Sequence, residues 1–163
     1  MLRKTAIAFA ILCFGLGGFA FVRAQSSAGS QSQPAPAPAV SDMPAYHDKA
    51  SKDPLPATLD PSIFPDVLNQ NVYAIAAKEK KILYQQPCYC RCDREVGHKS
   101  LLDCYVDRHA SVCATCKMEA VFAYQEMKNG KTAAQIRQEI IDGKWRSLDL
   151  SSYGAPGAGT ASK

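Results

Sequence analysis

Six of the seven cysteines in this 163-residue chain fall between positions 88 and 116. A fold that must place six thiols from so short a stretch is constrained by them more than by anything else in the sequence. Cys88, Cys90 and Cys92 alternate in the run Gln86-Pro87-Cys88-Tyr89-Cys90-Arg91-Cys92, Cys104 follows alone, and Cys113 and Cys116 form a CxxC pair. With His98 and His109 interleaved, the window carries eight soft or borderline donors. That is enough for one or two metal sites, a dithiol redox centre, or three structural disulfides.

The ends of the chain read differently. Arg3 and Lys4 precede an apolar stretch from Thr5 to Val22, and Val22-Arg23-Ala24 offers a small-residue cleavage site before Gln25. Residues 1–24 are therefore expected to be an export signal or, if uncut, a membrane anchor. Cys13 belongs to this stretch, and Leu12 before it is too large for a lipid-anchor site. Without Arg3, Lys4 and Arg23, the nineteen basic residues become sixteen against fifteen acidic ones, so the net charge falls from +4 to +1. Nucleic acid therefore has no electrostatic footprint here. Lys78, Lys80 and Lys81 are read as a solvated helix face.

Residues 25–58, built from Ser, Gln, Ala and Pro, are expected to be a disordered linker, with His47 solvated within it, and residues 151–163 a disordered tail. No internal repeat is present. Residues 59–150 are expected to form a small all-α, cysteine-rich domain, because strand alternation is largely missing and helical spacing recurs. Asp60-Pro61 or Asp66 opens a helix through Phe64, Leu68, Val72, Ile75 and Ile82 or Leu83 to about Gln85, and Pro87 stops it. Ser100 with Asp103 resembles a capping box for a short helix bearing Cys104. Ser111 is a candidate cap for a helix from Val112 to Lys128, ended by Asn129-Gly130. Thr132 with Gln135 opens a last helix bearing Ile136 and Ile140, which Gly143 ends before Trp145.

On the Val112–Lys128 helix, Cys113, Cys116, Ala120, Ala123 and Met127 follow helical spacing and form one inward stripe. Both thiols lie in the first turn, where free N–H groups and the helix dipole favour thiolate. After Pro87, an extended Cys88–Cys92 segment would aim its three sulfurs to one side, with Tyr89 and Arg91 opposite. Such a comb facing a helix-borne pair is a soft-metal cage that His109 can reach. His98 lies in a Gly97-His98-Lys99 loop and is a lesser candidate.

Other readings remain open. An even set of six exported cysteines also fits three disulfides, although neighbours in a CxC unit bridge each other only with strain. CxxC at a helix start also suits a dithiol oxidoreductase, but those stand beside a strand. Covalent haem would need histidine where Lys117 stands. No Ser-His-Asp set, phosphate-binding glycine loop or carboxylate pair is evident, so no enzymatic step is assigned.

Pro87-Cys88-Tyr89-Cys90-Arg91-Cys92, Gly97-His98-Lys99-Ser100-Leu101-Leu102-Asp103-Cys104 and Arg108-His109-Ala110-Ser111-Val112-Cys113-Ala114-Thr115-Cys116 resemble the bacterial family named for its PCYCGC or CYCXC motif. The resemblance spans roughly residues 64–146. Its members are exported proteins or lipoproteins of uncharacterised function, and some carry selenocysteine at a motif position. Selenium implies either a redox centre or soft-metal capture. Arg91 departs from the family pattern, which commonly has glycine there. The expectation from residues and resemblance together is an exported, periplasmic or extracellular protein binding copper, as Cu(I), zinc or a related thiophilic ion. Cys88, Cys90, Cys92, Cys113 and Cys116 are the principal ligands, and Cys104 and His109 the secondary ones.

Overall fold

In the computed structural model, which describes residues 42–158, every regular element is helical; among the described residues there is no strand. The expected signal or anchor, Cys13 and most of the expected linker lie outside the described residues. No described helix is long and apolar enough to cross a membrane.

Asp60 caps a 3-10 turn at Pro61–Ile63, its carboxylate accepting the Ser62 N–H. Asp66 then opens α1 (Val67–Lys78), accepting the Asn69 N–H at 2.8 Å. Both proposed start signals therefore operate, on two successive elements. The helix does not run unbroken to Gln85. It is interrupted at Glu79, and α2 (Lys80–Leu83) follows, with Leu83 fully buried and Ile82 only partly so.

The segment that follows contains only short elements: α3 (Cys92–Glu95), a 3-10 turn at Leu101–Tyr105 and α4 (His109–Val112). The long helix α5 runs Ala114–Lys128, and Cys113 rather than Ser111 is its N-cap residue. Ser111 lies inside α4, with its hydroxyl donating to the Arg108 carbonyl. The chain turns at Gly130, and α6 (Ala133–Ile141) begins at the Thr132–Gln135 capping box expected from the sequence. Gly143 adopts φ +77°, a conformation glycine takes without Cβ strain, and leads into a 3-10 turn carrying Trp145. The Trp145 indole N–H donates to the Ile140 carbonyl at 3.2 Å.

Helix α5 packs against α1 on one side and α6 on another. Val72, Ile75, Ala76, Ala120, Val121, Ala123, Ile136 and Ile140 are fully buried between them. Each large aliphatic chain so removed from water contributes roughly 1.5–3 kcal/mol. Phe64, Tyr73 and Tyr105 form an aromatic chain with centroids 4.1 and 5.0 Å apart. The Tyr73 hydroxyl donates to the Asp107 carbonyl and that of Tyr105 to the Cys116 carbonyl.

The composition-based reading of the two ends needs correction where they are described. Residues 42–58 form no regular element but lie against the domain: Pro44 is buried, the Ala45 N–H donates to Asp93, and His47 stacks on Tyr84 at 3.9 Å. Residues 151–158 are likewise placed, with a 3-10 turn at Ser151–Gly154 and Tyr153 buried. Asn71 of α1 holds them by donating to the Tyr153 and Ala155 carbonyls at 2.7 and 2.6 Å.

Candidate metal centre

The site is assembled from three pieces that meet below the start of α5. The Pro87–Cys92 piece is a tight turn rather than an extended comb. The Arg91 N–H donates to the Cys88 carbonyl, and Arg91 sits in the left-handed region at φ +68°, ψ +23° before Cys92 begins α3. Arg91 is the only non-glycine residue with positive φ among the described residues. This accounts for the motif's usual glycine at that position, since a Cβ costs roughly 1–2 kcal/mol there. Arg91 finds partial compensation in a hydrogen bond to the Asp42 carbonyl and a stacking contact over the Tyr89 ring.

The second piece is the Leu101–Tyr105 turn, anchored by buried Leu101, Leu102 and Tyr105 and by the bond from the Leu101 N–H to the Gln86 carbonyl. The expected capping box does not form: Ser100 makes no side-chain cap, and Asp103 accepts the N–H of Lys99, one residue earlier, at 2.6 Å. This turn carries Cys104 into the interior. The third piece is α4 and the first turn of α5, bearing His109, Cys113 and Cys116.

All six described cysteines are free thiols, and they converge. Cys88 Sγ lies 3.3 Å from Cys90 Sγ and 3.5 Å from Cys116 Sγ; Cys90 and Cys116 are 3.6 Å apart, and Cys92 and Cys104 3.4 Å. His109 Nε2 is 3.4 Å from Cys90 Sγ, and His98 Nδ1 is 3.4 Å from Cys104 Sγ. A tetrahedron with metal–sulfur bonds of about 2.3 Å has edges of roughly 3.8 Å, so these separations approach those of a closed coordination shell. Two groups of donors, Cys88/Cys90/Cys92/Cys104 and Cys90/His109/Cys113/Cys116, each lie within 4.8 Å of one another throughout. Cys90 belongs to both.

The thiols differ electrostatically. Cys90 is held well below the ordinary thiol range because Cys104, Cys113, Cys116 and Cys88 direct hydrogen bonds at its sulfur. Cys104 is pushed far up by its contacts with Cys116, Cys88, Cys90 and Cys92 and by burial. At the helix start the pull on the pair is upward rather than the downward one expected from the helix dipole. For Cys113 the hydrogen bond from Cys116 pulls downward, but donation to Cys90 and burial outweigh it. For Cys116 the bond from Cys104 is outweighed by those toward Cys113 and Cys90 and by burial. A soft cation entering this cluster displaces the shared protons.

Two acidic residues escaped the sequence reading. Glu119 is fully buried: one carboxyl oxygen accepts the Tyr89 N–H at 2.9 Å, the other has no hydrogen-bond partner, and Cys88 lies beside the group. Burial pushes its pKa up to about 8. Its spacing of three from Cys116 on the inward stripe was the available signal. Asp107 accepts the backbone N–H of His109 at 2.7 Å, at the start of α4, and its other carboxylate oxygen lies 3.7 Å from His98 Nε2. Lys117, the residue after the CxxC pair, turns away to the Asn69 side chain and the Ser111 carbonyl.

A family model described as "Protein of unknown function with PCYCGC motif" matches residues 18–159, a wider span than the motif segments alone. No curated protein and no solved structure matches the chain.

Proposed function

We propose that this chain, which belongs to the family of proteins of unknown function with a PCYCGC motif, binds a thiophilic metal ion, copper or a relative of it, and carries or sequesters it in the cell envelope. The reading rests on one observation: six sulfurs and the His109 imidazole, drawn from three separate stretches of chain, lie in two overlapping groups of coordination size. Hydrophobic burial alone does not require thiols to face one another, and sulfur ligands favour Cu(I), zinc or an iron–sulfur cluster over hard cations. The envelope assignment rests on the apolar, positively headed stretch of residues 1–24.

The depressed Cys90 thiol supports a second reading, thiol–disulfide exchange, because a thiolate flanked by further thiols can attack a disulfide and be resolved by its neighbour. One preparation separates the two. The full chain is purified without chelator, its metal measured by elemental analysis, and its reactive thiols counted before and after metal removal. Stoichiometric metal, with thiols reacting only after its removal, is the expected result. Metal-free protein in which one cysteine pair cycles reversibly between dithiol and disulfide would instead make it a redox protein.

A further inference from the structure

Seven donor atoms are more than one zinc-like divalent ion takes, because such ions in closed structural sites are four-coordinate. The seven divide into an all-sulfur group and a group of three sulfurs and one imidazole nitrogen, with Cys90 common to both, while His98 Nδ1 stands beside the all-sulfur group at 3.4 Å from Cys104 Sγ. The Cys90 sulfur contacts Cys88 of the first group and Cys116 and His109 of the second, and Cys88 and Cys116 also touch each other at 3.5 Å, so the two groups meet along this edge. Charge argues the same way. Six thiolates around one divalent ion would leave four uncompensated negative charges in a largely buried site, whereas a second divalent ion halves that number.

We infer that the centre holds two divalent thiophilic ions bridged by the Cys90 sulfur, an inner ion on Cys88, Cys92 and Cys104 and an outer ion on His109, Cys113 and Cys116. This inference rests on the metal-binding reading above and specifies its stoichiometry and order of exchange. The inner group is shut in: Cys88, Cys92 and Cys104 are 3, 1 and 0 % exposed. In the outer group His109 and Cys113 are only half-buried, and Val112 beside Cys113 is 87 % exposed. The outer ion is thus the one that a chelator or an acceptor reaches, while the inner ion keeps the loops assembled.

The test uses the reduced full chain loaded with cadmium-113 alone. Native mass spectrometry is expected to give two ions per chain, and cadmium NMR two resonances split by mutual coupling through the shared sulfur, the all-sulfur site downfield. Limiting chelator is expected to remove the upfield resonance first and collapse the splitting of the other. Cys113→Ser should retain one ion at the downfield position, and Cys90→Ser should weaken both sites. A single ion per chain, two uncoupled resonances, or loss of the downfield ion first would overturn the two-ion centre while leaving metal binding intact. No bound cadmium at all would overturn the metal-binding reading and this inference with it.

Discussion

From Val67 to Leu83 and from Ala114 to Ile141 the chain is helix on helix, joined through fully buried aliphatic side chains. From Gln86 to Cys113 it changes direction repeatedly, and no element there exceeds the five residues of Leu101–Tyr105. The first region satisfies its backbone internally and packs by area. The second is tied to the core at Leu101, Leu102 and Tyr105, and elsewhere its inward groups are chiefly sulfurs whose contacts with one another are weak hydrogen bonds. The contrast teaches that the helical region is held by apolar area, whereas the loop region is held by a few apolar anchors and by contacts among thiols, so an ion bonded to those thiols would add order chiefly there.

The largest expected effect lies where the regions touch, at Glu119. Its pKa is raised from an ordinary 4.5 to about 8, so folding favours the protonated acid. The stability associated with that proton is fully present below pH 4.5 and is lost as the pH rises through about 8. At most about 5 kcal/mol is at stake. Metal-free Glu119→Gln protein, neutral at every pH, should lose this slope; denaturant melts at pH 5 and pH 8.5 compare the two proteins. An unchanged slope would mean that the carboxyl is not held out of water beside Cys88 and the Tyr89 N–H.

Next in size, Ile75→Ala in the helical region should cost about 2–5 kcal/mol through the cavity it leaves, with or without bound metal. Chelation of a saturating ion should instead cost roughly 3 kcal/mol and raise amide exchange mainly between residues 88 and 113. Exchange that rises uniformly along the helices as well would abolish the distinction between the regions.

The smallest effect sharpens the loop side. Arg91→Gly relieves the left-handed backbone, at the cost of a more flexible unfolded chain and the lost bond to Asp42. A gain of about 0.5–1 kcal/mol is expected, together with faster proteolysis near Asp42. If stability falls, the Arg91 contacts with Asp42 and Tyr89 outweigh the strain.

Periodicity located the principal helices because an amphipathic stripe is a local property: Val72, Ile75, Ile136 and Ile140 point inward as their spacing requires. The Thr132–Gln135 box and the turn at Gly130 were legible for the same reason, since capping involves neighbours three residues apart. The break at Glu79, the transfer of the cap from Ser111 to Cys113 and the ordering of residues 42–58 were not, because each is settled by what packs from elsewhere in the chain. Within the candidate centre, spacing named the residues that the fold brings together but not that Cys90 lies in both groups or that Cys104 sits as deep as Cys88 and Cys92.

Donor chemistry and helix direction are thus written in the residues themselves: six thiols with two imidazoles, and a helix start that brings Cys113 and Cys116 to one end. The central place of Cys90, the burial of Glu119 and the left-handed turn at Arg91 exist only once the three pieces are folded together. They depend on distances between atoms many residues apart, and the packing of α1, α5 and the Leu101–Tyr105 turn sets those distances.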